Sequence, residues 1–201
     1  MTGNDNTVNM SSEKSRYHHG DLRAALIEEG LKLIDTGPAD ALSLREIARN
    51  AGVSATAVYR HFPDKAALLD AMCLEGDARL GAAFKAAMAS AEPGLAAFSA
   101  MGQAYVRFAL AHPSLFRLMM AAPGRGPLPV PPPSAGDGGA AMQMLVNTID
   151  SLFGAGVPAP VQEARRLRAW ALVHGLAMLM LDGQVPADPA LIDVVVDARL
   201  I

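Results

Sequence analysis

The chain has 201 residues, 51% of them hydrophobic and 18% charged, with one cysteine and a formal net charge of −3. That length and apolar content suffice for a buried core in one domain or two small ones, and the lone Cys73 excludes an internal disulfide framework and makes a reducing cytoplasm the expected compartment. The polar start, MTGNDNTVNMSSEKSR, does not read as a signal peptide, no run approaches the ~20 apolar residues of a membrane span, and the negative charge argues against an indiscriminate, basic DNA coater.

Alanine, leucine and methionine outweigh valine, isoleucine and the aromatics, which favours helix over strand and an all-α fold. Residues 1–16 read as a flexible arm. A first helix is expected over 21–35, with Leu22, Leu26, Leu33 and Ile34 inward, closed by Thr36-Gly37-Pro38. Residues 43–65, SLREIARNAGVSATAVYRHFPDK, then carry the pattern of a helix-turn-helix with the start of a further helix, a shape that enters the DNA major groove. Ser43 is an N-cap candidate, and Leu44, Ile47 and Ala48 share one helical face. Gly52 supplies the left-handed conformation that ends this helix. Ser54 can cap the next, in which Val58 and Phe62 point to the core while Thr56, Ala57, Tyr59, Arg60 and His61 face outward. Pro63 stops it, and Asp64 caps a helix that begins with Lys65 beside the reading surface.

That fourth helix, 65–90, carries Leu68, Leu69, Met72, Leu80 and Phe84; Gly76 and Gly81 mark a bend or a close contact within it. Glu92-Pro93-Gly94 punctuates, a fifth helix runs over 95–111, and Pro113 opens a sixth. Residues 122–139, APGRGPLPVPPPSAGDGG, break the pattern and read as an extended linker or a proline-rich docking segment. Helices over 140–153, 160–182 and 189–200 complete the chain. The domain organisation expected is an arm at 1–16, a helix-turn-helix domain at 17–64 and a larger helical domain at 65–201.

With these motifs in place, the chain resembles the TetR family of bacterial transcriptional regulators. The match runs through Tyr17-His18-His19-Gly20-Asp21-Leu22-Arg23, Gly52-Val53-Ser54, Val58-Tyr59-Arg60-His61-Phe62 and Lys65 to Leu69. A second match, His112-Pro113-Ser114-Leu115-Phe116-Arg117-Leu118-Met119 with Trp170-Ala171-Leu172-Val173-His174-Gly175, is similar to the C-terminal type known for its Trp-His-Gly signature. The resemblance implies that the N-terminal helices bind double-stranded operator DNA while the C-terminal part dimerises and holds a small-molecule effector. By the same resemblance, Arg45 and the Thr56-Ala57 edge meet bases, and Tyr59, Arg60, His61 and Lys65 hold phosphates, with Ser43, Ser54 and Ala55 on the same surface. Ala55 and Ala57 are short, which shifts readout towards DNA shape and thymine-methyl contacts. Repression is the family's commoner mode.

Charge placement suits few phosphate contacts and reliance on dimerisation. Lys14, Arg16, Arg45, Arg49, Arg60 and Lys65 lie before the first helix and around the reading surface, whereas Asp21, Glu28, Glu29, Asp35 and Asp40 lie on that helix and its exit. In the C-terminal half, Met101, Tyr105, Phe108, Phe116, Met120, Met142, Leu145, His174 and Met178 are candidates to line a cavity for an apolar or weakly polar effector, against plain core filling. The eighth helix offers Leu167, Trp170, Ala171, Val173, His174, Met178 and Leu181, and the ninth Leu191, Ile192, Val194, Val195, Val196, Leu200 and Ile201. These cover more than one face and point to a two-fold four-helix interface, unless they cover the chain's own helices and leave a monomer. Arg165, Arg166, Arg168 and Glu163 are expected at its rim.

Other suggestive residues have plainer readings. His18 and His19 are adjacent and cannot form a helical metal pair, which leaves an arm role near phosphate. His112 is a helix-end residue or a ligand sensor, His174-Gly175 a packing pair or an effector contact, and Cys73 a small buried hydrophobe or a redox sensor. No paired catalytic carboxylates, nucleophile elbow, phosphate loop or metal cluster is visible, so neither an enzyme nor a cofactor or metal is expected. The alternative class is a helical ligand-binding or scaffold protein without DNA binding, for which the outward Arg45, Thr56, Tyr59, Arg60 and Lys65 have no use.

Overall fold

The computed structural model describes residues 22–121 and 139–200. The predicted arm, the Tyr17 to Asp21 part of the first motif, His18 and His19 included, and all but the last residue of the Pro/Gly-rich segment lie outside the described residues, as does Ile201. The elements are α1 (Leu22–Thr36), α2 (Leu44–Asn50), α3 (Ala55–His61), α4 (Lys65–Ala89), α5 (Leu95–Ala111), α6 (Pro113–Ala121), α7 (Ala140–Phe153), α8 (Ala159–Leu181) and α9 (Pro189–Val195), with 3-10 turns at Ala39–Ala41 and Ala198–Leu200. No strand occurs among the described residues, so the fold is all-α.

Local chemistry accounts for most of the boundaries. Thr36 Oγ1 donates to the Leu33 carbonyl at the end of α1, where Gly37 and Pro38 stop further helix. Gly94, at φ 95°, precedes α5 in a conformation that a side chain disfavours. Pro113 opens α6 because its missing N–H lies in the first turn, where a helix has no internal acceptor for it. The expected ninth helix is shorter than predicted and stops at Val195. The run Val194-Val195-Val196 is β-branched, and Asp197 Oδ1 accepts from the Arg199 N–H at 2.9 Å. Ser99 Oγ of α5 accepts from the Ala198 N–H at 2.9 Å, so side chains replace helical bonds in the last residues.

One contiguous apolar core runs from α1 to α9, including Leu26, Ile47, Val58, Phe62, Leu68, Met72, Phe116 and Ile192. The head is therefore packed against the rest, with α1 lying against both α4 and α6. Gly76 is a point of close approach: a Cβ there would stand 2.6 Å from Met119 Sδ and 2.9 Å from Leu115 Cδ1, which lets α6 cross α4. Gly81 is in ordinary contact with Ala140 at the start of α7. Arg79 of α4 bonds Glu75 at 2.8 Å on its own helix and Glu28 on α1. No described helix is long and apolar enough to cross a membrane.

Candidate functional site

α2 closes with two backbone bonds, from the Gly52 N–H to the Arg49 carbonyl at 3.2 Å and from the Val53 N–H to the Ala48 carbonyl at 2.9 Å. These are the paired bonds of a left-handed C-terminal cap. Gly52 stands at φ 68° and a Cβ would meet nothing within 4 Å, so the backbone conformation alone calls for glycine. Ser54 Oγ then accepts from the Ala57 N–H at 3.2 Å and starts α3. Val58 and Phe62 are 0% and 1% exposed, which fixes the rotation of this short helix about its axis. Ala55, Thr56, Tyr59, Arg60 and His61 are consequently exposed, and Ala57 is half-buried. Arg45 is exposed in the first turn of α2, and neither it nor Arg60 has a hydrogen bond or ion pair among the described residues. The Arg23 guanidinium of α1 lies 5.3 Å over the Phe62 ring, a contact between head helices that no local motif announces.

One expected role needs correcting, and Lys65 has a partner that the motif did not announce. Ser43 occupies the N-cap position of α2 with extended backbone, but its hydroxyl makes no cap bond. The first turn of α2 therefore keeps an amide without that partner, and the hydroxyl is left for other acceptors or donors. Lys65 does start α4, next to Asp64 whose carboxylate accepts from the Ala67 N–H at 2.8 Å. Its ammonium, however, donates to the Asp40 carbonyl at 2.6 Å and clamps the 3-10 turn that leads into α2. Two of its three donors remain for a phosphate. Arg49 is partly offset by Glu46 at 3.2 Å, and Lys14 and Arg16 lie outside the described residues.

The second set of candidates lies on α5 to α8. Met101, Tyr105, Phe108 and Phe116 are buried, whereas Met142, Leu145, His174 and Met178 are half-buried and Met120 is 38% exposed on α6. Tyr105, His174 and Trp170 form a polar cluster within this apolar region. The Tyr105 hydroxyl is 3.0 Å from His174 Nδ1, and Trp170 Nε1–H donates to the same hydroxyl at 3.4 Å. Phe116 packs edge-on to Tyr105, with ring centroids 5.5 Å apart, and lies 5.8 Å from the His174 ring. Burial pushes the Tyr105 phenol up to about 12, against the hydrogen bond from Trp170, and lowers His174 below the ordinary histidine value. The Trp-His spacing is thus the four-residue spacing that stacks two rings on one helix face, here 5.5 Å apart.

Of the residues expected at a dimer interface, Leu167, Trp170, Leu181 and Val195 are half-buried and Ala171 is exposed. Two of the three expected rim arginines tie α8 to α7. Arg166 pairs with Asp150, whose carboxyl it holds below the usual range, and Arg165 bonds the Phe153 carbonyl at 3.1 Å while stacking on that ring. They turn inward because α7 ends beside the start of α8 with a carboxylate and free carbonyls. The outward line of α8 is Val161, Ala164, Arg168, Ala171 and Leu179, with the half-buried Gly175 between the last two. A polar cleft of about 450 Å³ at the same turn, lined by Asp150, Gln162, Glu163 and Arg166 among others, had no sequence signal because its parts come from two helices.

Comparison with known proteins gives a consistent result. Residues 26–72 match the family model described as bacterial regulatory proteins, tetR family, and residues 98–199 match that of the tetracyclin repressor-like C-terminal domain. A solved protein of unknown function from Rhodococcus sp. RHA1 is 36% identical, covering 92% of this chain and 95% of its own, with a TM-score of 0.72. A tetR-family transcriptional regulator from Streptomyces coelicolor is 25% identical over 87% of this chain and 76% of its own, with a TM-score of 0.64. A putative transcriptional regulator from Pseudomonas aeruginosa PAO1 shares the fold at 20% identity, covering 92% and 91%, with a TM-score of 0.67. No curated protein sequence matches the chain. With one family model spanning the three-helix head and another spanning half of the chain beyond it, the protein belongs to the TetR family of bacterial regulatory proteins.

Proposed function

We propose that the protein is a homodimeric repressor that binds a palindromic operator and is released by a small, mainly apolar effector. The observation that carries this is the outward face of α3: Val58 and Phe62 anchor the helix, and Thr56, Tyr59, Arg60 and His61 project from it beside Arg45, which has no partner among the described residues. Residues 17–64 are read as the DNA-binding domain and 65–201 as the effector-binding and dimerisation domain, of the Trp-His-Gly type. The site of action is the cytoplasm, where the operator lies.

Arg45 with the Thr56-Ala57 edge is assigned to bases. Ser43, Ser54, Ala55, Tyr59, Arg60, His61 and the remaining donors of Lys65 are assigned to the phosphates and the groove walls. Dimerisation is supported by the exposed line of α8, where a Cβ added to Gly175 would meet nothing within 4 Å. Since α9 stops at Val195, most of the interface falls to α8. Two heads then face half-sites about one helical turn (~34–36 Å) apart. An effector that prefers the head spacing unable to reach both half-sites lowers operator affinity by its differential affinity for the two states.

Selection of genomic fragments by the purified protein would yield the operator, and titration against it and a scrambled duplex over a range of salt tests the assignments. Arg45→Ala is expected to cost ~1–3 kcal/mol, mainly at one base position. Equal losses on both duplexes would rule out base reading by Arg45. No salt-dependent binding to any fragment would leave a helical ligand-binding or scaffold protein as the better reading.

A further inference from the structure

The Tyr105, Trp170 and His174 cluster constrains which proton each group carries. An indole N–H can only donate, so the Tyr105 oxygen accepts from Trp170, and the one acceptor within reach of the buried hydroxyl's own proton among the described residues is His174 Nδ1, 3.0 Å away. With Nδ1 accepting, a neutral imidazole carries its own proton on Nε2. Nε2 has no partner among the described residues, and the side-chain atoms that are both buried and unpartnered are Gln162 Oε1 and Arg166 Nε. Nε2 is therefore reachable from outside the packed core, on a half-buried residue beside the rings of Phe116 and Trp170.

We infer that Tyr105 and Trp170 hold His174 as an Nε2–H donor, and that the effector is an apolar molecule bearing an acceptor oxygen, as in a ketone, ester or carboxylate, which receives this hydrogen bond. The inference rests on the reading of the C-terminal helices as the effector-binding part. The half-buried Trp170 ring supplies apolar surface beside it, the fully buried Phe116 backs the imidazole from within the core, and the lone N–H supplies direction. An amine in the same place would set donor against donor and leave both unpaired, which a half-desolvated site penalises. Burial also disfavours the imidazolium, which keeps Nδ1 free to accept. Tyr105 and Trp170 are positioning residues in this arrangement; His174 is the contact.

Two measurements on the full-length protein test it. The first needs no ligand: long-range ¹⁵N–¹H spectra at neutral pH, with the His174 signals identified by their loss in His174→Gln, report which nitrogen is protonated. An Nε2–H tautomer is expected, changing in Tyr105→Phe; an Nδ1–H tautomer or an imidazolium would overturn the inference. The second uses naphthalene, 2-acetylnaphthalene, 2-naphthoate and 2-naphthylmethylamine as matched probes. Trp170 is the single tryptophan and lies 5.5 Å from His174, so quenching of its emission reports binding at this place. The ketone or the carboxylate is expected to bind at least tenfold more tightly than naphthalene and the amine, and His174→Phe to erase that difference while keeping naphthalene binding. Equal affinities for all four would overturn the acceptor assignment while keeping the reading of the C-terminal helices as the effector-binding part. Absence of quenching by every probe up to its solubility limit would overturn ligand binding beside Trp170 and the inference with it.

Discussion

Ser43 and Ser54 each precede a helix of seven residues, yet only Ser54 bonds the following turn. Ser54→Ala is expected to cost about 1 kcal/mol of stability and Ser43→Ala less than about 0.5 kcal/mol, measured by urea denaturation. Equal costs would show that the Ser43 hydroxyl caps α2 in solution. Tyr105 gives a test in alkaline solution. Its folded value of about 12 lies above the ordinary 10.0, so the stability tied to the neutral phenol is complete below pH 10 and disappears as pH rises towards 12. Absorbance at the phenolate band, followed together with melting temperature, is expected to show one tyrosine ionising last and in step with unfolding. In Tyr105→Phe that step is absent. At this scale the motif residues were readable because a cap, a stop and an anchor are local chemistry. The Lys65 clamp on Asp40 was not, since the two are 25 positions apart and meet only through the packing of α4 on the turn.

Among the elements, α4 joins the head to the rest, touching α1 on one side and α5, α6 and α7 on the other. Gly76 admits α6, and the next residue, Asp77, caps a helix other than its own: its carboxylate accepts from the Ala140 N–H and, at 3.4 Å, from the Ala141 N–H. An anion at a helix N-terminus satisfies free amides and is attracted to the partial positive charge of the helix dipole there. Gly76→Ala is expected to lower stability by about 1–3 kcal/mol through displacement of Met119 and Leu115. Asp77→Ala is expected to cost about 1–2 kcal/mol. A Gly76→Ala protein as stable as the parent would show that the Met119 thioether swings aside freely. Glycine within the fourth helix signalled a bend or a close contact, and only the position of α6 decides between them. The early end of α9 likewise depended on Ser99, 99 positions away from Ala198.

For the molecule as a whole, the question is whether the outward line of α8 meets a second copy. Ala171→Glu adds a charge to an exposed position, so the folded monomer should tolerate it with a change in melting temperature of a few degrees at most. A desolvated carboxylate at the centre of an interface would separate the dimer. Sedimentation at micromolar concentration is expected to give twice the 21.0 kDa chain mass for the parent and the single mass for Ala171→Glu, with loss of tight operator binding. A parent monomer that binds its operator tightly would overturn both the interface and the proposed head-spacing mechanism.

The sequence by itself determined the helical class, nearly every helix boundary and the turn geometry of the head. These follow from interactions within a few residues: Gly52 at a left-handed position, Ser54 and Asp64 as caps, Val58 and Phe62 one turn apart. Tertiary structure alone decided which apolar faces meet and which stay outside. Trp170 was readable as apolar helix surface, but its indole N–H turns to Tyr105 on α5, 65 positions away. Arg165 and Arg166 were readable as polar ends of α8, but they turn to α7 because Asp150 and the Phe153 carbonyl wait there. Periodicity records that a helix has an apolar side. It carries no record of the partner, because contacts between distant segments depend on the summed packing of every helix in the core.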